Sequence, residues 1–148
     1  MAALTTANGV EQTKYAAGGI DNMVSKLWNN EVKFVYDKYT LPATDTAAAG
    51  FVISMGRVPK NAIVIGFQWT STAMGAAMTA DVAIGGVAVT TAEALTDMTA
   101  ATTQFIGSTG VFPYTPLTAD STITVTTAAQ AFNPGGTVTL TTLYVMDV

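Results

Sequence analysis

Cysteine and histidine are both missing from this 148-residue chain. Without cysteine there is no disulfide framework and no thiolate chemistry. Without histidine the usual zinc sites and the Ser-His and Cys-His catalytic arrangements are excluded. The segment 107–110, Gly-Ser-Thr-Gly, lacks the lysine and the following helix of a phosphate-binding loop, so we interpret it as a hairpin turn. We therefore expect a protein that is not an enzyme and that has no cofactor and no metal.

Carboxylates are the one remaining source of chemistry, and they are sparse. Asp81, Glu93 and Asp97 form the only local set, and they are separated by loop-like sequence. A glycosidase needs two carboxylates facing each other in a cleft. We interpret the three as solvated surface groups, and keep a loose calcium site and a hydrolase that uses carboxylates alone as alternatives.

Charge is also scarce, because only 11% of the residues are charged against a usual share of about 25%. The net charge of −4 argues against nucleic acid as a direct ligand. A surface with so few charged residues either is covered by partners or is simply rich in threonine. The basic residues are unevenly distributed along the chain. We interpret this asymmetry either as different partners at two ends of the molecule or as chance. All six basic residues lie in the first 60 positions: Lys14, Lys26, Lys33, Lys38, Arg57 and Lys60.

Long apolar segments are missing as well. The longest strongly apolar run, residues 62–67, is far too short to span a bilayer, so no membrane association is expected. No cationic stretch precedes an apolar core near Met1, which argues against a secretory signal peptide. Together with the absence of cysteine, this fits synthesis in a reducing cytoplasm.

The clearest structural signal is the last stretch, residues 137–148. β-Branched and aromatic residues alternate strictly there, which is typical of a strand. Leu143 and Val145 lie on the face opposite Tyr144 and Met146, so both faces should be partly covered at that end. Such a strand usually lies inside a sheet rather than at its edge.

Similar alternation recurs along the chain, separated by turn residues. The predicted strands are residues 31–39, 50–55, 62–72, 79–84, 87–89, 104–106, 111–112, 121–127 and 137–148. Turns are predicted at residues 58–61 and 133–136, where proline, asparagine and glycine are favoured. About eight short antiparallel strands without a long helical pattern predict an all-β fold, an antiparallel β-sandwich of jelly-roll type. The predicted core consists of Phe34, Phe51, Ile53, Ile65, Phe67, Trp69, Val82, Ile84, Ile123, Val125, Leu140 and Tyr144.

Residues 1–30 differ from the sandwich domain predicted at residues 31–148. They are interrupted by glycine and asparagine, and Asp21 could cap one short helix. We interpret this segment as an extended N-terminal arm that binds a partner, with a disordered tail as the alternative. The arm would bind through an apolar stripe with spacings near 3.6, formed by Met23, Val24, Leu27 and Trp28.

These patterns resemble the small jelly-roll proteins that decorate or cement the capsids of tailed bacteriophages. The resemblance spans residues 31–148 and lies in pattern features, not in catalytic motifs. Its elements are the 51–61 strand with its Arg-Val-Pro-Lys-Asn turn, the 63–69 strand, the 81–85 strand, Pro113-Tyr114 and the threonine-rich last two strands. It implies a non-enzymatic structural virion protein on the capsid surface, a homotrimer in contact with the major capsid protein and with sister subunits.

A tail or fibre module that binds host carbohydrate is the alternative. Related sandwiches occur in phage tails and fibres, and sugar binding would require an exposed aromatic platform. Trp28, Tyr114 or Phe132 could supply one, whereas Trp69 continues an apolar strand face and is expected in the core.

Overall fold

The structure, a computed structural model, describes residues 4–8, 32–72, 79–89, 102–107, 115–128 and 133–146. These residues form strands, turns and loops, with no helix among them. The strands are β1 (Leu4–Asn8), β2 (Lys33–Thr40), β3 (Ala47–Val58), β4 (Ala62–Ser71), β5 (Thr79–Ile84), β6 (Val87–Ala88), β7 (Thr102–Gly107), β8 (Ser121–Ala128) and β9 (Thr137–Met146).

Two sheets pack against each other. One has the order β1-β3-β8-β5-β6 and the other has the order β2-β9-β4-β7. Every pair is antiparallel except β1 with β3, which is parallel. The predicted all-β sandwich is therefore confirmed, while the jelly-roll type stays a prediction.

The strand β1 lies within the segment that was predicted to be an arm. Its residues pair with β3 at the edge of the five-stranded sheet, for example Ala7 with Ile53. Ala7 also packs against the core. The chain is thus held to the sandwich at residues 4–8, and residues 9–31 lie outside the described part of the structure.

The final strand has the interior position that its pattern predicts. β9 lies between β2 and β4 and pairs with both along most of its length. Leu140, Thr142 and Tyr144 are buried on its inner face, while Leu143 and Val145 are partly covered on the outer face. The last strand therefore organises the four-stranded sheet.

The predicted turns form as their residues require. Asn61 has a φ of 64°, and the Ala62 N–H donates to the Pro59 carbonyl at 3.2 Å. In the turn before β9, Gly135 has a φ of 76° and the Gly136 N–H donates to the Asn133 carbonyl at 2.9 Å. This geometry matches a type II turn, with proline at the second position and glycine at the third.

The core lies between the two sheets and confirms most of the predicted positions. Trp69, Phe51 and Phe67 are its largest fully buried side chains. Tyr39 closes one side, with its ring 5.7 Å from that of Phe51. The predicted core residues that are buried are Phe51, Ile53, Phe67, Trp69, Val82, Ile84, Ile123, Val125, Leu140 and Tyr144.

Phe34 was assigned to the wrong face. Its side chain is 65% exposed, whereas Val35 is buried at 6% and Asp37 at 1%. Both faces of β2 carry apolar residues, so alternation alone does not decide which one meets the core. Packing decides which face is buried, because Val35 lies against Gly56 of the opposite sheet. A Cβ atom added to Gly56 would be only 2.6 Å from Val35 Cγ1.

Ile65 was also assigned to the core and is only partly buried. The cause is a β-bulge in β4. Val64 pairs with Tyr144 and Gly66 pairs with Leu143, so Ile65 is the extra residue. A bulge of this kind shifts the alternation by one position. Phe67 and Trp69 therefore share the inner face with Val64, and Ile63 and Ile65 lie outside.

Candidate interaction surface

The outer face of the four-stranded sheet has an unusual apolar end. Val32, immediately before β2, and Phe34 and Tyr36 on β2 are exposed at 56%, 65% and 48%. Three alternate positions at the beginning of this edge strand therefore carry large apolar side chains. The outward side of a solvated antiparallel sheet is normally polar, so this face requires an explanation.

The neighbouring strands continue this surface. Phe34 pairs with Leu143 on β9, and Ile63 on β4 pairs with Val145 on β9. Paired residues project to the same side of a sheet. Together these side chains form one surface across three strands, which we call the outer apolar patch: Val32, Phe34, Tyr36, Ile63, Ile65, Leu143 and Val145.

The other end of the same face is polar. Lys38 pairs with Thr139, and Gln68 pairs with Thr141. Lys38, Gln68 and Thr70 are exposed. Among the outward residues that the structure describes on β2, β4 and β9, none is acidic. The change from apolar to polar along the strands limits the patch to one end of the sheet.

The interior of the sandwich also contains polar side chains. The Asp37 carboxylate accepts the Lys38 N–H at 2.8 Å. Burial raises the pKa of Tyr144, and burial followed by the Asp45 carboxylate raises the pKa of Tyr39. Both shifts favour the neutral phenol, which is the form suited to packing rather than to acid–base work near neutral pH.

The predicted functional residues fall mostly outside this description. Met23, Val24, Leu27 and Trp28, the predicted partner-binding stripe, lie outside the described residues. The residues of the alternative sugar platform, Trp28, Tyr114 and Phe132, also lie outside the described residues. The same is true of Glu93 and Asp97 of the carboxylate set. Asp81 lies on β5 opposite Thr126, and no group of three potential metal ligands occurs in the described ranges.

Sequence reasoning missed the outer apolar patch because its best residue, Phe34, was assigned to the core. A usable signal was present nonetheless. The outward residues of the last strand change from threonine to Leu143 and Val145, which predicts cover on both faces at that end.

Within the described ranges, no helix is long and apolar enough to cross a membrane.

Comparison with known proteins gives a match in structure alone. No protein-family model matches the chain, and no curated protein sequence matches it. A chain in the capsid of Ralstonia phage GP4 is similar, with a TM-score of 0.68 and 22% identity over 89% of this chain and 95% of that one. A chain in the cyanophage Pam1 capsid asymmetric unit has a TM-score of 0.60 and 18% identity over 84% and 91%. These similarities establish a shared fold.

Proposed function

We propose that this chain is a non-enzymatic structural virion protein that decorates and stabilises a bacteriophage capsid. The observation that carries the proposal is the similarity to two phage capsid chains over nearly their whole length. A match over 95% and 91% of those chains involves the entire sandwich rather than one shared motif. Both of the similar chains come from capsid structures.

The surface chemistry supports a role in assembly. The outer apolar patch is too apolar for a face that remains in water, and patches of this kind mark protein–protein contacts. The proposed partners are the major capsid protein and sister subunits, with a homotrimer as the working state on the capsid surface. The net charge of −4 disfavours direct contact with the packaged genome.

The proposed partner-binding element is the stripe of Met23, Val24, Leu27 and Trp28. An isolated helix shorter than about 12–15 residues is marginal in water. We expect the stripe to gain order by burying its side chains on another surface, which is its own sandwich, a sister subunit or the capsid. Burial of a side chain the size of leucine contributes about 1.5–3 kcal/mol before the cost of ordering.

Capsid binding tests the proposal directly. Purified protein is mixed with capsids assembled without it, and bound protein is measured by co-sedimentation over a concentration series. We expect saturable binding with a fixed number of copies per capsid, together with a higher temperature of capsid disruption. Absence of saturable binding contradicts the proposed function. A control with heat-unfolded protein shows whether any binding depends on the folded sandwich.

A further inference from the structure

The outer apolar patch covers only one half of a sheet face. Its side chains are aliphatic or aromatic, whereas the other half of the face presents lysine, glutamine and threonine. The part of the face that requires apolar cover is therefore limited to this end, and a small apolar element is enough to cover it.

The chemistry of the patch selects an apolar peptide segment. A sugar site needs polar groups beside its aromatic ring, and a cation site needs carboxylates. The described outward residues of β2, β4 and β9 include no carboxylate. The polar groups of this face lie at its other end. Aliphatic and aromatic side chains of a partner segment are the groups that the patch can bind.

The proposed homotrimer restricts where that segment comes from. In a closed ring of three copies each interface is heterologous, so two different surfaces of the chain meet. Among the residues whose side chains the structure describes, the one large exposed hydrophobic side chain outside the patch is Val87, at 39%. One valine on the short strand β6 is too small a complement. The complementary surface therefore comes from segments whose side chains lie outside this set, such as residues 9–31 and β7.

Of these segments, residues 9–31 have both the composition and the position required. They contain Met23, Val24, Leu27 and Trp28, and they lead directly into Val32 at the edge of the patch. Trp28 lies four positions before Val32. Four extended residues span about 13 Å. β2 is an edge strand of its sheet, so the stripe joins the sandwich at an open edge that is accessible to a neighbouring copy in the proposed trimer.

We infer that the apolar stripe of one copy binds the outer apolar patch of the neighbouring copy in the trimer. The inference rests on the proposed homotrimer and names the contact that holds it together. The patch is the acceptor surface, with Phe34 and Leu143 at its centre. The stripe of residues 23–28 is the inserted element, and Trp28 is its largest side chain.

Cysteine crosslinking tests the contact, because the native chain has no cysteine. A tagged Leu27→Cys copy is mixed with an untagged Thr141→Cys copy, and the pair is oxidised; Thr141 borders the patch, where it pairs with Tyr36. We expect a crosslinked species that contains both chains, and a trimer ladder from the double variant. As a matched control, Thr124→Cys on the other sheet replaces Thr141→Cys and should give no mixed species. Intrachain crosslinking alone, or no crosslinking, overturns the inference.

Charge insertion gives an independent readout. Phe34→Arg places a cation in the patch, and Gln68→Arg places the same cation on the polar half of the same face. We expect Phe34→Arg to weaken trimer association by about 30-fold or more in sedimentation analysis, the scale of a central interface residue. Gln68→Arg should retain the trimer. Equal effects of the two variants overturn the inference.

The two proposals fail in different ways. A trimer that crosslinks through Leu27 and Thr141 but does not bind capsids removes the proposed function and keeps this contact. A chain that binds capsids as separate monomers removes this contact and keeps the proposed function.

Discussion

Two phenylalanines show how position in the fold decides the importance of a residue. Phe67 and Phe34 both lie in strands with apolar alternation, and both were predicted to be in the core. Phe67 is fully buried between the sheets, whereas Phe34 is 65% exposed on the outer face. Because the residue type is the same, the comparison separates the effect of the environment, mainly burial, from that of residue type.

Truncation of the two side chains should therefore give unequal results. Phe67→Ala should lower the free energy of unfolding by about 3–5 kcal/mol, since it removes buried surface and leaves a cavity. Phe34→Ala should lower it by less than about 1 kcal/mol. Urea unfolding at a concentration where the chain is monomeric measures both. Similar losses at the two positions would contradict the assignment of the faces.

At the scale of a single strand, β3 contains a bulge between Ser54 and Arg57. It contains Gly56, with a φ of 67°, and brings the β3 backbone against Val35 of β2. Glycine is the residue that adopts this φ without strain, and it leaves room for the neighbouring strand. The bulge thus helps to decide which face of β2 turns inward.

Alanine at Gly56 should be costly for two reasons. The positive φ costs about 1–2 kcal/mol for a residue with a Cβ, and the overlap with Val35 Cγ1 adds about 1–3 kcal/mol of overpacking. Gly50→Ala is the matched control, because Gly50 has a φ of 83° but an added Cβ meets nothing within 4 Å. In thermal unfolding, the melting temperature of Gly56→Ala should be lower than that of Gly50→Ala. Addition of Val35→Ala should reduce this difference in melting temperature. Equal losses in the two alanine variants would show that the close approach is unimportant.

On the scale of the whole molecule, a charge-poor sandwich buries a large apolar core between its two sheets. Tyr144 belongs to this core and is 2% exposed. Burial raises its pKa above the ordinary 10.0, and Tyr39 is shifted in the same direction. The interior therefore favours neutral phenols.

Stability should consequently fall at alkaline pH. As the pH passes about 10, the tyrosines ionise first in the unfolded chain, so the unfolded state binds fewer protons than the folded state and the free energy of unfolding decreases. The contribution is fully present below that pH and is lost as the pH rises through the folded-state pKa. Tyr144→Phe should flatten this decline, measured by urea unfolding at pH 8 to 11. An unchanged alkaline slope in this variant would contradict the role of Tyr144.

The sequence by itself determined the all-β class, the central position of the last strand and the turns at Asn61 and Gly135. These features depend on local alternation and on backbone conformations that few residues adopt. The tertiary structure decided which face of β2 is buried, because Val35 and Phe34 are both apolar, and register with β9 and contact with Gly56 distinguish them. It also placed the bulge at Ile65 and added β1 to β3. The outer apolar patch followed from those decisions, since a surface shared by three strands depends on register between distant segments.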